Sequence, residues 1–219
     1  MSIFDPSLDY ENSKDIPCNN WLQFLIRDDK LFLNVTVRAN DLFWGFSGIN
    51  TFEWSVLQEI MAFWTNSQTS NLNFFIGSLH FYERHFGHVE KILSSFSNKT
   101  IYDYGFSSLK FSTPLEKFDE TLLEWFELEN KIRTHGAEVF KDTEKFEDDF
   151  LRSSLQMLII YNEFLKSSSK SKIKELISRL PKSDFKIAAM EFFYRKYNDI
   201  TFISLKKEEE KCLRKILNI

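Results

Sequence analysis

The chain has 219 residues, 43% hydrophobic and 27% charged, the balance of a soluble globular protein of one or two domains. A formal charge of −4 gives no general reason to expect nucleic acid as a polyanionic partner, and none is expected, although a mononucleotide needs only a local cationic site. No apolar run reaches the ~18 residues of a membrane-spanning helix, and no basic stretch followed by an apolar one opens the chain, so neither a membrane segment nor a secretory signal is expected.

In chain order, residues 1 to about 16 read as an irregular polar lead-in. Asn20 to Ile26 and Lys30 to Arg38 are rich in β-branched, aromatic and other apolar residues around Asp28-Asp29, which predicts a hairpin. Both faces of that hairpin are substantially apolar, so both are expected to be covered. Asn50 to Trp64 carries Phe52, Val56, Ile60 and Phe63 at three- and four-residue steps, the spacing of a helix. Asn71 to Tyr82 predicts a strand, Phe86 to Ser95 a short helix and Ile101 to Phe111 a last strand. Further on, Leu115 to Arg133, Glu138 to Leu165, Ser171 to Leu180, Ser183 to Tyr197 and Leu205 to Leu217 show helical spacing with charged opposite faces. The expected fold class is α+β: a sheet with packed helices over residues 1–113, then an all-helical carboxy-terminal region over 114–219.

The chemistry-bearing residues fall early. Pro17-Cys18-Asn19-Asn20-Trp21-Leu22-Gln23-Phe24 is followed, twenty residues after the cysteine, by Arg38-Ala39-Asn40-Asp41-Leu42-Phe43-Trp44-Gly45. A cysteine is a useful nucleophile when partly deprotonated, which a nearby cation promotes, and Arg38 lies one hairpin away. Singly, such a cysteine is most often buried and inert, and such an arginine is most often a solvated strand end. Asn50 opens a helix, where asparagine is commonly the N-cap; its carboxamide also offers both a donor and an acceptor. His80-Phe81-Tyr82 alternates along its predicted strand, so both polar rings face one side. Cys18 and Cys212 form no spaced cluster, and His85, His88 and His135 make no zinc-like pattern with them, so no metal site is expected and a reducing cytoplasmic setting fits.

Taken together, these residues resemble the active-site core of thymidylate synthases and the related deoxycytidylate hydroxymethylases. The resemblance implies a thymidylate-synthase-like sheet with packed helices in the first 113 residues. It also implies roles by position. Cys18 would add to C6 of a pyrimidine, with Asp41 and Asn50 completing the catalytic set. Arg38 would grip the nucleotide phosphate, Asp41 shape the base pocket, and Asn50 orient the base after one inserted residue in Phe46-Ser47-Gly48-Ile49. His80 and Tyr82 would hydrogen-bond the sugar hydroxyl, and Gln23 and Gly45 match the family's substrate-binding positions. Ala39, Asn19 and Ser78 depart from the pattern, replacing a serine, a histidine and an acidic residue.

Only seventeen residues precede Cys18, where the family carries a long amino-terminal half with the tryptophan and glutamate that handle folate and proton transfer. The cofactor is therefore unknown: a folate one-carbon donor is the family expectation, and its binding half is absent from these residues. Nothing in residues 114–219 matches the family's motifs. The resemblance implies a homodimer joined sheet to sheet, a dUMP-like pyrimidine nucleotide as substrate and a second polypeptide supplying the missing half. The function expected is a methyl- or hydroxymethyltransferase acting at C5 of a uracil-type nucleotide through a Cys18 adduct. The alternative is a catalytically incomplete nucleotide-binding or dimeric scaffold protein whose helical tail binds a partner.

Overall fold

A computed structural model describes residues 1–10, 16–94 and 99–217, and the chain divides into two compact units, Met1–Glu90 and Lys91–Ile219. The architecture is mixed α+β, as expected.

In the first unit the lead-in is more ordered than its composition suggests. Residues 1–4 pair along the first strand, with Leu22 N donating to Met1 O at 2.9 Å and Ile3 N to Asn20 O at 2.9 Å. A single turn, α1 (Pro6–Asp9), follows, with Asp5 accepting from Ser7 N. Residues 11–15 lie outside the described residues. The predicted hairpin forms as β1 (Asn19–Arg27) and β2 (Lys30–Val37), turning through Asp28 and Asp29 at φ 49° and 57°. Two successive positive φ values are the turn geometry that matches strand twist, and aspartate tolerates them.

Alternation along β2 buries Leu31, Leu33, Val35 and Val37 on one face. After β3 (Asn40–Asp41) and a π-helical stretch, Leu42–Ile49, the chain enters α2 (Asn50–Trp64), with the bounds its periodicity predicts. It then returns as β4 (Gln68–Ile76), parallel to β2, giving the order β1-β2-β4. Trp54 and Leu57 of α2 close the core over Leu22, Leu33, Val35, Val37, Leu72, Phe74 and Ile76. Gln58, buried beneath the sheet, donates to Leu31 O at 2.9 Å.

The strand predicted over Asn71 to Tyr82 is interrupted at Gly77-Ser78. A Cβ on Gly77 would stand 2.7 Å from Arg38 O, and Gly77 N donates to Val37 O at 2.9 Å. That close approach redirects the chain into β5 (Leu79–His80), which pairs in parallel with β3 instead of extending β4. The short helix then forms as α3 (Phe86–Ser94); Ser95, its predicted end, lies outside the described residues.

In the second unit, the strand expected over Ile101 to Phe111 does not form. Thr100 and Asp103 close a capping box, Ile101–Tyr104 takes a 3₁₀ turn, and Gly105 ends it at φ 75°. The predicted helices appear as α4 (Leu115–His135), α5 (Asp149–Leu165), α6 (Lys170–Arg179), α7 (Asp184–Tyr197) and α8 (Lys207–Leu217). The helix expected from Glu138 to Leu165 is divided, because Gly136–Lys145 winds as a 3₁₀ helix and Asp148 caps α5. Asp148 accepts from Leu151 N at 3.0 Å on one oxygen, satisfying an end donor of α5, and from Ser112 N at 2.7 Å on the other, tying the segment before α4 to this cap. Leu155, Ile159, Ile173, Leu176, Ile177, Met190 and Phe202 form a fully buried core. No described helix is long and apolar enough to cross a membrane.

Candidate active site

Hairpin register brings the first two candidates together. Asn19 stands opposite Val37, so Cys18 and Arg38 flank the same end of the β1–β2 pair. Arg38 N donates to Cys18 O at 2.9 Å. The guanidinium turns back over the cysteine's own approach, with Nε donating to Pro17 O at 3.1 Å and Nη2 to Ile16 O at 2.5 Å. The thiol reaches the same Ile16 carbonyl, Sγ to O 3.9 Å. Cys18 is exposed, so the bland reading of an inert core cysteine does not apply. Arg38 has five N–H donors, and the Nη1 pair remains for an anion once those carbonyls are served.

A second cluster is built by β3 and β5. Asp41 pairs with His80, and the His80 and Tyr82 rings meet edge to face at 5.6 Å. Tyr82 lies just past the end of β5, yet the two rings are neighbours as the alternation predicted. Asp41 caps the π-helical stretch, accepting from Phe43 N at 2.8 Å and Trp44 N at 2.7 Å. The Trp44 N–H holds its carboxyl below the usual carboxylate range, helped by the Phe43 N–H and by the His80 and His85 charges, against a burial effect in the other direction. Its other oxygen, Oδ2, is buried with no partner among the described residues.

Gly45 and Asn50 form the third cluster. Asn50 N donates to Gly45 O, the i→i−5 bond of a π turn. A π turn holds one residue more than an α turn, the room that the extra residue expected in Phe46-Ser47-Gly48-Ile49 would need. The N-cap reading of Asn50 is overturned by the same feature. Ile49 and Asn50 are both helical in φ and ψ, the π turn runs straight into α2, and no side chain caps it. The Asn50 carboxamide is thereby released from capping, and among the described residues its Nδ2 donates to Glu53 Oε2 at 3.4 Å.

Gln23 is placed apart from these clusters. Its Oε1 accepts from Asn34 Nδ2 at 3.0 Å, and Asn34 Oδ1 accepts from Asn73 Nδ2 at 2.9 Å, an amide ladder across β1, β2 and β4. The ladder runs on the sheet face opposite the core, where Trp21 and Phe75 are exposed.

Sequence reasoning passed over three residues here. His85 adds charge beside Asp41, Arg84 stacks over the Tyr82 ring at 4.2 Å, and Asn40 packs its buried carboxamide against Gly45. Only an Arg-x-x-Asp-like context marks Asn40 in the sequence, and nothing there signals burial.

The family described as Thymidylate synthase matches residues 1–136 of this chain. The chain belongs to the thymidylate synthase family. Among its relatives, the deoxyuridylate hydroxymethyltransferase of Bacillus phage SP01 is 25% identical over 240 residues, covering 98% of this chain and 61% of that protein. The deoxyuridylate hydroxymethyltransferase of Delftia phage PhiW-14 is 29% identical over 43% of this chain and 30% of its own length. The deoxycytidylate 5-hydroxymethyltransferase of Enterobacteria phage T4 is 31% identical over 37% of each. The chain thus spans less than two thirds of each of these relatives. Similarity continues past residue 113, to residue 136 for the family and across the helical region for the SP01 protein, where the motifs alone gave no such sign.

A side chain at Gly45 would meet the Asn40 and Asn50 carboxamides. A methyl there would overlap the Asn40 amide oxygen and stand 2.8 Å from Asn50 Oδ1. Gly45→Ala is expected to cost about 1–3 kcal/mol of stability, the range for overpacking a filled site. Urea denaturation measures it; an unchanged midpoint would contradict this packing.

Proposed function

We propose that this chain carries the nucleotide-activating part of a pyrimidine C5 transferase and that its substrate is a uracil-type nucleotide such as dUMP. The observation that carries the reading is the exposed Cys18 thiol sharing the Ile16 carbonyl with the Arg38 guanidinium. The Cys18 thiolate adds to C6, the C5–C6 π pair moves toward C5 and O4, and an enolate results. Asn50 holds the O4 and N3–H edge, Arg38 the phosphate, and His80 with Tyr82 the sugar, while Asp41 fixes the turn that presents Gly45 and Asn50. Protonation at C5 followed by loss of the original hydrogen exchanges that position with water. Capture of a one-carbon electrophile in place of the proton, then loss of the C5 hydrogen and expulsion of the thiolate, completes the transfer.

Folate is the carrier that the family resemblance implies, and the carbonyls and guanidinium placed at Cys18 serve the nucleotide side of the site. No step above runs through folate. A second chain is proposed to supply the donor side of the site. A second copy of this chain is proposed to cover the open sheet face around Trp21 and Phe75, which sedimentation velocity would report as a dimer; a monomer at micromolar concentration would contradict it.

The test of the reading is release of tritium from [5-³H]dUMP by the purified chain. Release is expected, and none over hours with saturating nucleotide would overturn the catalytic reading. The second reading is a nucleotide-binding or scaffold protein. Arg38→Ala should weaken dUMP binding about 10–100-fold, the worth of charge-assisted hydrogen bonds, and leave uridine-type nucleosides unaffected. Binding with that pattern but no exchange is the signature of the second reading. Equal losses for nucleotide and nucleoside would contradict the phosphate role.

A further inference from the structure

Asn40 is 5% exposed, and its Nδ2 is buried with no hydrogen-bond partner among the described residues. Buried amide N–H groups are seldom left unpaired, so this one asks for an explanation. Its carboxamide lies on Gly45: a Cβ there would be 2.8 Å from Asn40 Cγ and 2.8 Å from Asn50 Oδ1. The bare α-carbon leaves room beside it for two carboxamides, one from β3 and one from the start of α2, with Asn40 Oδ1 the nearer, overlapping the same Cβ position. A half-turn of the Asn40 carboxamide exchanges two atoms of nearly equal size and turns its NH₂ toward Asn50 Oδ1.

We propose that Asn40 is a positioning residue that locks the Asn50 carboxamide in one orientation and so selects a 4-oxo over a 4-amino pyrimidine. The proposal rests on the base-reading role given to Asn50 above. An asparagine by itself matches both bases. With Nδ2 toward C4 and Oδ1 toward N3 it pairs with O4 and N3–H of uracil; turned over, it pairs with the amino group and N3 of cytosine.

A donor from Asn40 on Asn50 Oδ1 uses one lone pair and leaves the other for N3–H of uracil. The turned-over form would set two NH₂ groups against each other in a buried place, leaving donors unsatisfied. Glu53 acts in the same sense from the other side, since its Oε2 accepts from Asn50 Nδ2 at 3.4 Å. Donor on the oxygen and acceptor on the nitrogen specify one orientation between them.

The experiment is calorimetric titration of the full chain with dUMP and with dCMP, for the unchanged protein, Asn40→Leu and Asn40→Asp, each checked for a cooperative melt. The unchanged chain is expected to prefer dUMP by roughly tenfold or more, a modest value for a mismatched hydrogen-bonding edge. Asn40→Leu removes the donor at similar volume and should bring the two affinities within about threefold of each other. Asn40→Asp offers only acceptors and should move the preference toward dCMP; Asn40→Leu decides the matter where the buried carboxylate prevents folding. A folded Asn40→Leu variant with the original preference, or an unchanged chain that binds both nucleotides equally, overturns the proposal while leaving the base site in place. Failure of the unchanged chain to bind either nucleotide overturns both.

Discussion

Cys18→Ala is expected to abolish C5-hydrogen release from dUMP, by on the order of 10⁴-fold or more, as for loss of a covalent nucleophile elsewhere. Nucleotide affinity should stay within about threefold, because sulfur contributes little to ground-state binding when phosphate, base and sugar are held by other groups. The asymmetry follows from the structure. Among the described residues the exposed thiol makes one weak hydrogen bond, to Ile16 O at 3.9 Å, so its removal disturbs no buried network there. The backbone link from Arg38 N to Cys18 O at 2.9 Å survives the substitution. Exchange assays beside equilibrium binding separate the two effects. Retained exchange would move the nucleophile elsewhere, and lost affinity would make Cys18 structural.

The helical unit carries the next largest expected effect. Lys186 of α7 and Glu209 of α8 form an ion pair at 2.7 Å with side chains 1% and 4% exposed. Lys186 Nζ lies 3.4 Å from Ser178 O, while Glu209 Oε2 has no partner among the described residues. Removing one member strands the other charge away from water, so Lys186→Met should cost about 3–5 kcal/mol. Replacing both, with Glu209→Leu added, should recover most of that loss, because desolvating two charges consumes much of their attraction. Urea denaturation followed by far-UV circular dichroism reports the comparison. A single variant as stable as the parent would mean that the pair opens to solvent.

These two sites differ in how far the sequence announced them. The β1–β2 hairpin was readable because period-two burial is strong there, and by itself it sets Cys18 beside Arg38. The helix α2 was readable in its bounds, but its buried face is Trp54, Gln58 and Ala62, while Phe52 and Phe63 of the expected stripe are exposed. The π-helical stretch from Leu42 to Ile49 has no composition of its own. It was visible only as one residue too many against the family spacing. Its consequence, an Asn50 that caps nothing, needed backbone angles.

The failed strand at Ile101 to Phe111 has a local cause. Its apolar and aromatic content was read correctly, but Thr100, Asp103 and Gly105 together favour a capped turn. Gly77 shows the same limit from the tertiary side, since its role depends on the Arg38 carbonyl arriving from another strand. Pairing of Lys186 with Glu209 was beyond periodicity altogether: both read as polar-face residues until α8 covers α7.

The central claim is that one exposed sulfur bonds to C6 of a uracil nucleotide, and intact-mass measurement after incubation with 5-fluoro-dUMP tests it most directly. Fluorine at C5 withdraws electrons and favours addition of a thiolate at C6, so more adduct stands at equilibrium than with the natural nucleotide. The expected result is a mass increase of one nucleotide, mapped by proteolysis to the peptide containing Cys18 and missing from Cys18→Ala. An unmodified chain, or a label on Cys212, would contradict the account.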